Sequence, residues 1–114
     1  MVVIENMGRS ITENGIKYNY FYRMTKCGIS QNYDNDTMVV QCYGIEIERQ
    51  DIADGCIKFI ERDSIKAISP DRHKVHNLLK LLYDNIVSPI HMIDIIGGCA
   101  DEYVNDFNMS CDVQ

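Results

Sequence analysis

With 114 residues, 46% of them hydrophobic and 25% charged, the chain has material for one hydrophobic core and the make-up of a folded domain, which excludes a disordered or multi-domain protein. Its net charge of −6 argues against a general polyanion binder. No apolar run approaches the ~20 residues that a membrane span needs.

The opening Met1-Val2-Val3-Ile4-Glu5 lacks the basic start and apolar core of a signal peptide, so the expected location is the cytoplasm. The cysteines agree with that placement. Cys27, Cys42, Cys56, Cys99 and Cys111 are odd in number, widely spaced and contain no Cys-x-x-Cys pair. Reduced thiols acting as small hydrophobes are expected. Charge is unevenly spread: residues 1–57 sum to −3, residues 58–83 to +3, and residues 84–114 to −6 with no lysine or arginine.

The first half reads as β-structure. Asn14-Gly15 stands between two runs of strand-forming residues, and both central positions of a type I′ hairpin turn need φ > 0, which these residues tolerate. After it Ile16, Tyr18, Tyr20, Tyr22 and Met24 alternate with Lys17, Asn19, Phe21, Arg23 and Thr25, a period of two that puts the Tyr/Met set on one face. Phe21 interrupts the polar face. The polar stretch from Gln31 to Asp36 predicts a connecting loop. Tyr43, Ile45 and Ile47 then oppose Cys42, Gly44, Glu46 and Glu48 in a second alternating run. The segment from Asp51 to Gly55 predicts a turn, and Ile57 and Phe59 mark a fourth strand that fades near Asp63. Tight turns between successive strands predict a four-stranded antiparallel meander.

The second half changes period. Ser69-Pro70 and Ser88-Pro89 each predict a helix start, serine as the cap and proline at the first helical position. Val75, Leu78, Leu79, Leu82 and Ile86 form one apolar stripe, with an exit at Asp84-Asn85. The short connection predicts that the two helices are antiparallel neighbours. In the second helix Ile93, Ile96, Ala100, Val104 and Phe107 form a similar stripe. Gly97-Gly98 interrupts it at a propensity cost of ~1–2 kcal/mol, enough for a kink or a break. The predicted architecture is a single α+β domain over residues 1–108. It is a two-layer sandwich of an antiparallel four-stranded meander and two C-terminal helices, with residues 109–114 as a frayed tail.

Several segments are similar to a family of short proteins from clostridia and related spore-forming bacteria, known as a domain of unknown function. They are Tyr43-Gly44-Ile45-Glu46-Ile47-Glu48-Arg49, the stretch from Ile68 to Asn85, and Val87-Ser88-Pro89-Ile90-His91-Met92-Ile93-Asp94. The likeness spans about residues 1–108. It implies a bacterial, cytosolic origin and supplies no catalytic residues.

No motif carries catalysis. His73 and His76 lie three apart on the first helix and His91 opens the second, but no carboxylate falls at a spacing that would complete a zinc site. A Cys99–His91 pair has no third group to orient it. No phosphate-binding glycine loop, Rossmann fingerprint or Gly-x-Ser-x-Gly is present, so no cofactor is expected. Two features remain. Lys58, Arg62, Lys66, Arg72, His73, Lys74 and Lys80, with His76 beside them, form a basic run as a candidate interaction surface, or else a solvated face that complements the acidic C-terminal third. Tyr18, Tyr20 and Tyr22 are read as core packing for the helices rather than an interface. The sequence therefore points to a non-catalytic accessory or regulatory protein that binds another protein or itself, with homodimerisation through a sheet edge or the opposite sheet face. Nucleic acid is not the expected partner; a regulator using the basic 58–80 region is the first alternative. A small-molecule binder or enzyme with a pocket near His76 and Tyr18 is the second.

Overall fold

A computed structural model describes residues 2–33 and 36–112, of which residues 31, 33 and 104–112 are described by their backbone alone. Four strands are followed by helices: β1 (Val2–Glu13), β2 (Ile16–Tyr33), β3 (Asp36–Ala53), β4 (Cys56–Ser69), α1 (Arg72–Asp84), a 3-10 turn (Pro89–His91) and α2 (Met92–Asp112). The sheet is antiparallel with its strands in sequence order.

The turn chemistry acts as expected. Asn14 and Gly15 take φ of 51° and 79°, and Asp54 and Gly55 take 55° and 75°, so both outer hairpins close on residues that accept left-handed backbone. β2 and β3 are far longer than the apolar alternation indicates, at 18 residues each. Asn32, Tyr33 and Asp36, predicted as loop, continue the ladder, with Asn32 opposite Thr37 and Tyr33 opposite Asp36. The middle of that predicted loop, residues 34 and 35, lies outside the described residues. β4 does not fade at Asp63 but runs on to Ser69.

One face of the sheet builds the core. Tyr20, Tyr22 and Met24 of β2 face Ile45 and Ile47 of β3 and Ile68 of β4. Val75, Leu78, Leu79 and Leu82 of α1 close over them, together with Val87, Met92 and Ile96. Each fully buried leucine or isoleucine contributes about 1.5–3 kcal/mol relative to exposure. The tyrosines are core residues: Tyr22 is wholly buried, stacks at 6.2 Å on Tyr20, meets Tyr83 edge-on at 5.8 Å and donates its hydroxyl to the Val87 carbonyl at 3.0 Å. Burial, with Tyr20 beside it, raises the Tyr22 phenol above its ordinary range.

The helix starts differ in detail from their prediction. Asp71, not Ser69, caps α1, accepting from the His73 and Lys74 amides at 2.9 and 3.4 Å. A residue before proline is pushed to extended backbone, which holds Ser69 in β4, and its hydroxyl accepts from the Asp71 amide at 3.0 Å instead. Ser88 is extended for the same reason, and Pro89 opens a 3-10 turn before α2 begins. Asn85 ends α1, with the Val87 amide returning to the Leu82 carbonyl at 3.1 Å. α1 packs on β2, β3 and β4, and α2 on β4 and β3, so each helix docks on the sheet rather than chiefly on the other. α2 is unbroken through Gly97-Gly98. Buried Met92 and Ile96 anchor its first turns and offset the glycine cost. Met92 also replaces Ile93 in the apolar stripe, since Ile93 is exposed. The expected stripe members Val104 and Phe107 lie outside the described side chains. The supposed tail is helical to Asp112, with residues 113 and 114 outside the described residues.

Candidate functional site

The unequal strand lengths create the molecule's most distinctive feature. β1 first meets β2 at Val2 opposite Lys26, and β4 last meets β3 at Ser69 opposite Tyr43. Beyond those pairs, residues 27–33 and 36–42 continue as a two-stranded ribbon. An 18-residue strand spans roughly 60 Å, and the molecule measures 58 × 21 × 18 Å. Its radius of gyration, 16.5 Å, exceeds the ~13 Å of a compact domain of this size.

Among the described residues no strand pairs with the outer edge of β3 from Asp36 to Cys42. The segment Thr37-Met38-Val39-Val40-Gln41-Cys42-Tyr43 carries no charge, proline or glycine, and Met38 and Val39 are 41% and 70% exposed. Edge strands in soluble proteins are normally blunted by lysine, proline or a bulge. This one is not. Across the root of the ribbon, from the start of β1 over β2 to β3, an open depression of about 470 Å³ is lined by Val2, Ile4, Lys26, Cys27, Gly28, Val39 and Gln41.

A bulge shapes the root of the ribbon. Between Tyr43 and Ile45 the register jumps, so that four steps of β4 from Ile65 to Ser69 answer two steps of β3. The extra residues turn Ile68 and Ser69 into the core and aim the chain at α1. The bulged main chain crosses so close to Gly44 that a Cβ there would collide with the carbonyl oxygens of Ile65 and Lys66. On this same side Cys27 and Cys42 stand directly opposite each other, with their sulfurs 2.7 Å apart. The Lys66 carbonyl oxygen lies 3.7 Å from Cys27 Sγ and 4.0 Å from Cys42 Sγ.

The sheet face away from the helices is knitted by charge. Glu48, 4% exposed, accepts from Arg62 Nε at 2.8 Å, Gln50 Nε2 at 2.7 Å and Arg23 Nη1 at 3.3 Å, and Arg23 also reaches Glu46 at 2.7 Å. Burial alone would raise the Glu48 pKa, but the hydrogen bonds from Gln50, Arg62 and Arg23 together hold it below the ordinary carboxylate value. A carboxyl group whose folded pKa is depressed stabilises the fold above its unfolded pKa, and that contribution is lost as pH falls through the folded value. Urea titrations should therefore show wild-type stability falling between about pH 5 and pH 3 more steeply than that of Glu48→Gln. At pH 7 the variant should be less stable by about 1–3 kcal/mol. Parallel pH profiles for the two proteins would refute this role for Glu48.

The predicted basic surface is not gathered in one place. Arg62 lies on the charged sheet face against Glu48. Lys58 and Lys66 are exposed on β4. Arg72, His73, Lys74 and Lys80 belong to α1, on the helical side. Arg72 is 3.9 Å from Glu5, Lys80 pairs with Asp84 at 3.1 Å, and Lys74 lies over the Tyr103 ring at 5.0 Å. His73 and His91 are exposed, and His76 bonds Glu5 at 2.9 Å. His76 and Tyr18 do not share a pocket: Glu5 is opposite Met24, six residues or roughly 20 Å along β2 from Tyr18.

A family model matches residues 1–102 and so spans all four strands, α1 and the first half of α2. The chain belongs to the family of unknown function DUF6514. Comparison with curated proteins and with solved structures gave no match. The DUF6514 match includes the whole ribbon and its root, so these features fall within the family's domain. The uncharged 37–41 edge and the Cys27–Cys42 pair are the site residues that sequence reasoning missed. The absence of charge from Thr37 to Tyr43 was the available signal for the edge. Nothing in the spacing of Cys27 and Cys42 signals their pairing until the hairpin register is known. No described helix is long and apolar enough to cross a membrane.

Proposed function

We propose that this DUF6514 protein is a non-catalytic, cytoplasmic accessory or regulatory protein of bacterial origin that works by protein binding, and that its primary partner is a second copy of itself. The outer edge of β3 from Thr37 to Gln41 carries this reading. It is exposed, unpaired among the described residues, and uncharged. Pairing the edge with itself about a two-fold axis supplies main-chain hydrogen bonds to both copies at once. It does so at a stretch where a chain of net charge −6 meets its own copy with no like charges opposed. Residues 27–42 also contain no lysine or arginine, which favours a protein strand over a nucleic acid as the ribbon's partner.

Size-exclusion chromatography with light scattering over a concentration series is the direct test. The expected result is a mass that rises toward twice the 13.1 kDa of one chain. A constant single-chain mass up to millimolar concentration would overturn the proposal.

A further inference from the structure

We propose that Cys27 and Cys42 form a reversible dithiol–disulfide site whose co-substrate is a low-molecular-weight disulfide, and that oxidation staples the ribbon at its root. This stands independently of self-association, since the site lies within one chain.

The hairpin register makes the geometry. Residues directly opposed in an antiparallel ladder have Cα atoms about 4.5–5.5 Å apart, inside the ~4.4–6.8 Å that a disulfide spans. Cys27 and Cys42 are such a pair, and their sulfurs are already 2.7 Å apart. Cys56 lies at the opposite end of β3 beside the 54–55 turn, and Cys99 is on α2, so neither competes for this position. The two thiols also differ in access. Cys42 is fully buried and Cys27 is half-buried. Burial first, then the hydrogen bond with Cys27, pushes the Cys42 thiol up to about 12, which keeps it protonated at rest.

These differences order the exchange. Cys27 loses its proton to solvent and its thiolate attacks one sulfur of the small disulfide RSSR. The S–S bond of RSSR breaks, the first RS⁻ leaves and takes up a proton, and Cys27 is left in a mixed disulfide. Cys42 Sγ then attacks the Cys27 sulfur, the mixed S–S bond breaks, and the second RS⁻ departs as RSH with the proton that Cys42 gives up. The balance is two protein thiols plus RSSR to one protein disulfide plus two RSH, with two electrons passing from protein to co-substrate. Excess RSH runs the sequence backwards.

The test uses the full chain carrying Cys56→Ser, Cys99→Ser and Cys111→Ser, equilibrated against mixtures of reduced and oxidised glutathione. Intact mass and peptide mapping read the products. The expected result is loss of two hydrogen atoms, a Cys27–Cys42 crosslinked peptide, and full reversal by reduced glutathione. Adding Cys42→Ser should trap a glutathione adduct at Cys27, whereas adding Cys27→Ser should leave Cys42 unmodified while the protein stays folded. Amides of residues 36–42 should exchange with deuterium about a hundredfold more slowly in the oxidised form, as expected for closing a loop of ~15 residues. Peptide mapping of wild-type protein oxidised in the same buffers guards against misfolding of the serine variants. Glutathione adducts that persist at Cys27 while Cys42 is present would overturn the proposal. So would a wild-type crosslink that joins Cys27 or Cys42 to another cysteine.

Discussion

Gly44→Ala is expected to destabilise the protein by about 3 kcal/mol or more, a larger effect than a glycine-to-alanine change in an ordinary strand, where alanine is usually the better residue. The reason is backbone against backbone. A Cβ at position 44 would collide with the carbonyl oxygens of Ile65 and Lys66, and the carbonyl carbon of Lys66 would lie only 2.6 Å away. A flexible side chain could rotate out of the way; a main chain held by its neighbours cannot. Relief requires β4 to move off β3 where the register jumps between Tyr43 and Ile45. That movement would drag Ile68 and Ser69, both wholly buried, out of the core and misplace the start of α1. A loss of 3 kcal/mol lowers Tm by roughly 10–20 °C for a domain of about this size. Scanning calorimetry and urea denaturation would both report it. Gly8→Ala is the internal control: there the nearest atoms stand 3.7 Å away, at ordinary contact distance, and little change is expected. Equal stability of Gly44→Ala and Gly8→Ala would show that the bulge is not where the structure places it.

The same bulge marks the boundary of what the sequence discloses. Asn14-Gly15 and Asp54-Gly55 announce their turns because left-handed backbone is a local demand that few residues meet. The alternation of Tyr20, Tyr22 and Met24 announces a core face because one side of that strand is buried. Neither logic applies to the ribbon. Among the described residues from Cys27 to Cys42 none joins the core beneath the helices, so period-two alternation fades and polar residues accumulate. Gln31 to Asp36 then resembles a loop although its flanks continue the ladder. Gly44 was visible only as one member of an alternating run. Its meaning lies in how close β4 passes, which is a tertiary fact. The basic run is spread over the molecule for a related reason. Summing charge along residues 58–83 ignores which side of the sheet each residue occupies, and Arg62 and α1 stand on opposite sides. Ser69-Pro70 placed α1 within two residues, but the extended backbone that proline imposes on Ser69 moved the cap to Asp71.

Replacing Met38 and Val39 together by lysine should abolish self-association while leaving the monomer's stability unchanged. Successive strand residues point to opposite faces, so the pair puts one cation on each side of the exposed edge. In a two-fold pairing of β3 with its own copy, each lysine meets its symmetry mate close by, where like charges directly opposed are destabilising. The pairing also loses the apolar contact of two residues that are 41% and 70% exposed in the single chain. Together these effects should weaken dimerisation by at least a hundredfold, about 2.7 kcal/mol, enough to leave a monomer at micromolar concentration. Neither residue belongs to the buried cluster between sheet and helices, so the urea midpoint of the monomer should move little. Replacing Leu81 and Ile93 by lysine supplies the contrast. Both are exposed apolar residues on the helical side, at 45% and 55%, and an association that ran through the helices would respond to them instead. Light scattering on the two double variants separates the cases. A dimer that survives lysine at 38 and 39 but dissociates with lysine at 81 and 93 would move the interface from the edge of β3 to the helical layer.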